Sequence, residues 1–449
     1  MRSSSVTAAR SCLQPLVSAS RYLAVHTLSG DSFYFIVEAK SRVKEVYIQT
    51  CILLSQQGMR DCELFGLAIL SDGEYLFVDP ENKLNKYAPK NWRNSHTYGL
   101  DSSGRPAFVL YFRVRFYIDT PLLLSDETTR HHYYLQLRDN VIRHGGGVES
   151  LHFHHPLHDP SIVTPLLALA GLALQADLGD YSEERHKPHA GSVGYYKSTD
   201  YLPPHMCLES NVLAVLTVQH KENNGLSREE AELQYIQKAI LLETPLNAHL
   251  YRLRRSKNEV GPGRILLAIC ARGVRIYTEE EIPRTFAWNN IGKLSFDRKK
   301  FEIRAVDQPD KFTLYSGCDD KSKLLLGLCR DTHQFSMAIA PRINEVKRRE
   351  EEANTMITAE DSQCSSSCST IVIVNTSTGR PSRIRRTSVT SSLELGYSHT
   401  TQNSAISSEI INFPDAIYDT CKKTGLQLCM RSEVHTTSPL SQCETRSIK

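Results

Sequence analysis

Between residues 249 and 343 the hydrophobic positions fall into short runs closed by one long periodic segment. The runs 249–255, 264–270, 274–277, 286–296, 301–306 and 312–315 are rich in Ile, Val, Leu, Phe and Tyr and are predicted as strands. Turn chemistry separates them: Gly261-Pro262-Gly263, Arg272-Gly273, Asp297, and residues 307–310 with Pro309 inside. The period then changes. Leu325, Leu328, Thr332, Phe335 and Ile339 share one face at helical spacing, which predicts a helix from about Asp320. Pro341 is expected to end or kink it near Ala340.

The pattern upstream divides in two. Residues 21–112 read as a small β-grasp unit. Its strands are 22–27 and 33–37 around Ser29-Gly30-Asp31, a hairpin 64–70 and 75–78 around Ser71-Asp72-Gly73, and strands at 84–87 and 108–112. A helix at 43–54 places Val43, Val46, Tyr47, Cys51 and Leu54 on its inner face. Residues 113–242 turn helical. Ser125 is the expected cap of a helix with Tyr133, Leu137 and Val141 inside. Residues 166–178 are apolar nearly all round, as in a bundle core. Ser210 is the expected cap of the next helix, backed by Val212, Leu213, Val215, Leu216 and Val218, and Ser227-Arg228-Glu229-Glu230 is a capping box. From residue 346 to 449 Ser and Thr dominate and apolar periodicity disappears, so this tail is expected to be disordered.

Composition narrows the classes. The chain has 449 residues with 53 Lys plus Arg against 50 Asp plus Glu. A net charge of +3 is too small to mark a nucleic-acid binder, so attraction to acidic surfaces must come from local clusters. The 12 cysteines form no Cys-x-x-Cys pair and several sit in apolar runs, which suits a reducing, intracellular setting. The longest apolar run, 162–174, is broken by Pro165 and falls short of the ~20 residues a bilayer requires. Residues 1–30 hold Arg2, Arg10 and Arg21, many Ser and no acid before Asp31, which loosely resembles a mitochondrial presequence; the alternative is a disordered leader over 1–20.

Antiparallel strands plugged by a C-terminal helix resemble a pleckstrin-homology or phosphotyrosine-binding (PH/PTB) barrel. β-grasp, helical bundle and PH/PTB barrel in this order resemble the three-lobed FERM module, α+β and multidomain. Three phrases carry the likeness: Phe112-Arg113-Val114-Arg115-Phe116-Tyr117, the run from Leu172 to Gly179-Asp180-Tyr181, and Trp288-Asn289-Asn290-Ile291-Gly292-Lys293 with the strand after Lys300. The module would comprise a ubiquitin-like lobe (21–112), an acyl-CoA-binding-protein-like helical lobe (113–242) and a PH/PTB-like lobe (243–345), followed by the tail. Within the family, Cys62-Glu63-Leu64-Phe65-Gly66-Leu67, Lys86-Tyr87-Ala88-Pro89-Lys90-Asn91-Trp92 and Gly317-Cys318 are similar to the willin/Expanded group. That resemblance implies a cortical scaffold at the cytoplasmic face of the plasma membrane, feeding Hippo growth control and the actin cortex. Its partners would be cytoplasmic tails of membrane proteins, phosphoinositides and cortical signalling proteins, with no nucleic acid and no cofactor. One stretch departs from the family: 144–165 holds Gly145-Gly146-Gly147 and His152, His154, His155 and His158, an atypical insert.

FERM modules also occur in tyrosine phosphatases and kinases, so the resemblance alone leaves an enzyme open. A phosphatase loop needs five residues between Cys and Arg; Cys270 to Arg275 leaves four and lacks the preceding His. No Gly-rich loop followed by Lys-Ser/Thr and no His-Arg-Asp triplet occurs. The insert histidines lack the Cys partners or helix that would fix a metal geometry. Two binding surfaces remain. Arg252, Arg254, Arg255, Lys257 and Arg264 flank the Gly261 turn, where PH-like barrels present cations to phosphoinositide headgroups. Ile291, Lys293, Leu325 and Leu328 would border a groove between strand 291–296 and the last helix, where PTB-like lobes accept a peptide as an added strand. In the tail, Arg385-Arg386-Thr387-Ser388 makes Ser388 a candidate phosphorylation site beside Arg380 and Arg383. The alternatives to a scaffold are a soluble PTB-type adaptor and a non-catalytic form of a FERM tyrosine phosphatase.

Overall fold

The computed structural model describes residues 6–8, 20–144, 160–187, 195–204, 206–208, 210–242, 245–261, 263–278, 283–306 and 311–365. Contacts divide the chain at Val346, and the unit up to that residue holds the three lobes. The first is built on a six-stranded sheet of order β1-β3-β2-β6-β4-β5. Its strands are β1 (Val6–Ala8), β2 (Ser20–His26), β3 (Ser32–Glu38), β4 (Phe65–Ser71), β5 (Glu74–Phe77) and β6 (Val109–Val114), with β2 and β6 parallel. Helix α1 (Val43–Gln56) buries Val43, Val46, Cys51 and Leu54, the stripe its spacing predicts. The half-buried Tyr47 donates its hydroxyl to the Cys62 carbonyl at 2.9 Å. A short helix α2 (Lys90–Arg93) follows, with Trp92 fully buried. Two expectations fail here. Residues 84–86 form a 3-10 turn rather than a strand, because only Leu84 is anchored in the core and its carbonyl takes the N–H groups of Tyr87 and Ala88. Within the stretch read as a leader, Val6–Ala8 pairs with β3.

The second lobe packs α3 (Glu127–His144), α4 (Pro160–Leu178), α5 (Ser210–Glu222) and α6 (Arg228–Leu241). Tyr133, Tyr134, Leu137, Leu169, Leu172, Leu216, Tyr235 and Ile236 form its buried interior. The cap of α3 is Asp126 rather than Ser125: Asp126 Oδ1 takes the Thr129 N–H at 2.7 Å, while the Ser125 hydroxyl donates to Asp61 at 2.6 Å. At α6 the capping box forms, Glu230 N–H to Ser227 Oγ at 3.2 Å and Ser227 N–H to Glu230 Oε2 at 2.9 Å. On α5, Val215 and Val218 face outward rather than joining the core. Helix α4 starts at Pro160 and carries Pro165 inside, so part of the stretch read as an insert is helical; Gly145–Gly147 and the four insert histidines lie outside the described residues. The Gln and Gly-Asp-Tyr of the family phrase are fastenings. Gln175 Nε2 donates to Asp180 Oδ1 and to the Leu226 carbonyl (2.8 and 2.9 Å), and Asp180 Oδ1 takes the Gly225 N–H at 2.7 Å. These bonds tie the end of α4 to the α5–α6 turn.

The third lobe has two antiparallel sheets rather than a closed barrel. The four-stranded sheet, order β10-β9-β8-β7, comprises β7 (His249–Leu253), β8 (Ile265–Cys270), β9 (Gly273–Tyr277) and β10 (Arg284–Ala287). The three-stranded sheet, order β11-β12-β13, comprises β11 (Ile291–Asp297), β12 (Lys300–Ala305) and β13 (Lys311–Tyr315). The single strand expected over 286–296 is therefore two strands on different sheets. A 3-10 turn at Trp288–Asn290 swings the chain across, held by Trp288 Nε1 donating to the Ala271 carbonyl at 2.9 Å. The core between the sheets takes Leu253, Leu267, Ile269, Ile276, Phe286, Phe301, Ile303, Leu314, Leu325 and Leu328, and continues into Ala68, Leu76 and Phe77 of the first lobe.

Helix α7 runs from Asp319 to Ser365 with Pro341 inside, so of the end or kink expected near Ala340 the end does not occur. Proline removes one N–H from the ladder, and a helix with enough bonds on both sides survives that loss. The tail expected to be unstructured from residue 346 is thus helical to Ser365. There Arg348 pairs with Glu352 one turn on, which supports an exposed charged helix. Residues 366–449, with Arg380, Arg383, Arg385, Arg386 and Ser388, lie outside the described residues.

Candidate binding surfaces of the third lobe

The β7–β8 hairpin carries Arg252, Arg254, Arg255, Lys257 and Arg264, as expected, but the structure sorts them. Arg252 is engaged through its backbone: its N–H donates to Glu74 Oε1 at 2.6 Å and its carbonyl accepts from Lys321 Nζ at 2.9 Å. Its backbone thus braces the joint with the first lobe, and the residue is half-buried. Arg254 Nε donates to the Gly261 carbonyl at 2.8 Å, and Glu259 Oε2 takes the Arg255 N–H at 2.7 Å, so the tip is internally braced. Gly263 closes it with φ of +90°, and a Cβ there would lie 2.2 Å from the Leu253 carbonyl oxygen. Arg255, Lys257 and Arg264 are exposed, next to Val260 at 94% exposure.

A second basic tip joins this one. Arg254 and Tyr315 form an isolated antiparallel bridge; Tyr315 is in register with Lys300; the Ser316 N–H donates to the Lys299 carbonyl at 2.7 Å. The β11–β12 turn, Arg298-Lys299-Lys300, is thereby fixed at the same end of the lobe as the β7–β8 tip. Lys300 pairs with Glu302 at 2.6 Å, which raises the lysine pKa and, with Lys311, lowers that of Glu302. Among the described residues, no acid pairs with Lys257, Arg298 or Lys299. Sequence reading missed Arg298, Lys299 and Lys300, because the ladder through Tyr315 that connects the two turns joins residues far apart in the chain.

The expected peptide groove is also redrawn. Leu325 and Leu328 are 1% and 2% exposed and belong to the core, so they cannot border a groove. Their spacing marks a buried helix face, which a groove wall and a core share in sequence. Ile291 is half-buried and Lys293 exposed, both on β11, the edge strand of its sheet. Leu294 and Phe296 on the same strand, and Leu324 on α7, are only partly covered. An edge strand with incompletely buried apolar side chains is the arrangement an added strand requires.

The cavity at the meeting of the lobes is a joint rather than a site. Tyr75 lies under the Arg113 guanidinium (3.8 Å to the ring centroid) and beside that of Arg143 (5.1 Å). Asp139 pairs with both arginines, so its charges are satisfied internally. His249 also lines it, donating Nε2–H to the Arg115 carbonyl at 2.9 Å; burial pushes its pKa down to about 4. Among the described residues, no group of His, Cys, Asp and Glu side chains is arranged to hold a metal ion, and no helix is long and apolar enough to cross a membrane.

Three lobes of this kind, in this order and fastened in this way, define a FERM module. The chain matches the FERM N-terminal domain over residues 25–90, the FERM central domain over 119–251 and the FERM C-terminal PH-like domain over 261–342, and it belongs to the FERM-domain family. It is 41% identical to Protein expanded of Drosophila melanogaster over 410 residues, covering 76% of this chain and 28% of that protein. It is 30% identical to tyrosine-protein phosphatase non-receptor type 13 of Homo sapiens over 330 residues, 72% of this chain and 12% of the enzyme. The chain thus spans about a quarter or less of these relatives. Among solved structures, the FERM and C-terminal domain complex of Drosophila Merlin superposes with a TM-score of 0.53 at 21% identity, covering 73% of this chain and 99% of that one.

Proposed function

We propose that this chain is a non-enzymatic FERM scaffold, peripheral at the cytoplasmic face of the plasma membrane, that links membrane proteins and phosphoinositides to the actin cortex and to Hippo-type growth signalling. The observation that carries this reading is the pair of hairpin tips, which gathers Arg254, Arg255, Lys257, Arg264, Arg298, Lys299 and Lys300 at one end of the third lobe. Each cation near an anionic leaflet contributes about 1 kcal/mol, so the combined end suffices for salt-sensitive attachment where either tip alone is marginal. Exposed Val260 beside the cations suits the headgroup boundary, where an apolar side chain gains contact with acyl chains. The similarity to Protein expanded supports the assignment to growth signalling. Its test is the cortical enrichment of the fluorescently tagged full chain in epithelial cells. Reversing Lys257, Arg298 and Lys299 to Glu is expected to release it into the cytosol, and unchanged cortical signal contradicts the reading.

The β11 edge favours a second role for the same lobe, as a PTB-type adaptor that takes a cytoplasmic tail as an added strand. A protein with the edge function alone would bind tail peptides without sedimenting with lipid. A non-catalytic relative of the FERM tyrosine phosphatases would share both surfaces, and the similarity to the human phosphatase supports that reading of the module.

A further inference from the structure

Strand register sets three cations in a line across the outer face of the three-stranded sheet. Lys293 of β11 lies opposite Arg304 of β12, and Arg304 lies opposite Lys311 of β13. All three are exposed. Like charges directly opposite one another weaken a sheet, and Lys311 is compensated by Glu302 at 3.2 Å. Among the described residues neither Lys293 nor Arg304 has an acidic partner. Asp307 and Asp310, in the connection between β12 and β13, lie outside the described residues. The line ends at β11, which is the edge of the sheet. A strand added there would place one side chain directly across from Lys293, about 4.8 Å from it in the pairing direction and on the same outer face.

From this juxtaposition of an edge strand and an uncompensated cation row, we infer that the peptide accepted at β11 carries an Asp or Glu directly across from Lys293. The inference rests on the strand-addition reading and adds its specificity. The carboxylate completes the row, offsetting the repulsion between Lys293 and Arg304 that the lobe carries alone. Main-chain bonds along β11 supply affinity without sequence preference, and Leu294 and Phe296 receive apolar side chains on the opposite face. Lys293 then acts as the position that reads charge, and a partner with Lys or Arg at that position is rejected.

The test pans a random peptide library displayed on phage against the full chain, and in parallel against the Lys293→Glu and Lys293→Gln variants. Hydrogen exchange of the selected complexes locates the binding. The expected result is slowed exchange over 291–297, an acidic residue enriched at one fixed peptide position, a basic residue there with K293E, and no charge preference with K293Q. For one selected peptide, exchanging the acid for Lys is expected to weaken binding roughly three- to tenfold. The same panning on an Asp307→Asn/Asp310→Asn variant is expected to keep the acidic preference. Peptides that protect 291–297 without charge bias, or with a bias unchanged by K293E or abolished by the Asp307/Asp310 substitutions, overturn this inference and leave strand addition standing. If no peptide is selected, or none protects 291–297, strand addition fails and the inference falls with it.

Discussion

Arg254 and Tyr315 exchange both of their backbone hydrogen bonds, N to O at 2.7 and 2.9 Å, across the gap between the two sheets of the third lobe. This bridge lets two turns far apart in the chain present their cations to one surface. Gly263, beside it, admits no side chain. Gly263→Ala is expected to cost roughly 1–3 kcal/mol of stability, since neither the positive φ nor the Leu253 carbonyl can accommodate a Cβ. Urea denaturation gives the loss, and amide exchange at 253–255 is expected to accelerate before the rest of the lobe.

A nearly enclosed ion pair lies at the joint between the first and third lobes. Lys321 reaches Glu74 and the Arg252 carbonyl, Glu74 also caps the Arg252 N–H, and the two side chains are 12% and 13% exposed. Removing either partner leaves a charge in a poorly hydrated place. Glu74→Ala and Lys321→Ala are each expected to cost roughly 3 kcal/mol, and the double variant much less than their sum. Additive losses in a double-mutant cycle contradict the pairing.

His249 makes the joint acid-sensitive. Its ring lies 4.9 Å from Phe77 and 4.6 Å from Tyr117, and burial, reinforced by Arg113 and Arg115, holds its pKa near 4 against the Arg115 carbonyl that favours the proton. Above about pH 6.5 the residue is neutral folded and unfolded. Below that the unfolded chain takes a proton that the folded one refuses, so stability falls from pH 6.5 to about 4, by up to roughly 3 kcal/mol. His249→Gln is expected to be less stable at pH 7 yet to lose less over that interval. Denaturation midpoints at pH 7 and pH 5 measure the difference, and an equal fall in both proteins contradicts the assignment.

Much of this fold is legible in the sequence because it rests on local signals. The stripe of α1, the capping box at Ser227 and the strands around Gly261 each declare themselves within one turn or one hairpin. What stays hidden depends on partners remote in the chain. Ser125 has the chemistry of a cap, but Asp61 claims its hydroxyl, and that contact comes from another lobe. Pro341 carries a local stop signal that the ladder on either side overrides. Leu325 and Leu328 lie on the helix face that the spacing offers to a groove, and the packing fills this face. Lys293 reads from the sequence as a groove residue, whereas its place in a cation row follows from register, which no periodicity encodes. The nearness of the Arg298–Lys300 turn to the β7–β8 tip is hidden for the same reason.

The most direct measurement is flotation of the full chain with vesicles of phosphatidylcholine alone or with added phosphatidylserine and phosphatidylinositol bisphosphate, over a salt series. Binding to the anionic vesicles only, weakening as salt rises, and lost equally in Arg255→Glu/Lys257→Glu and Arg298→Glu/Lys299→Glu variants, is the predicted result. Binding that ignores salt, or that survives reversal at either tip, contradicts a membrane-facing surface built from the two tips together.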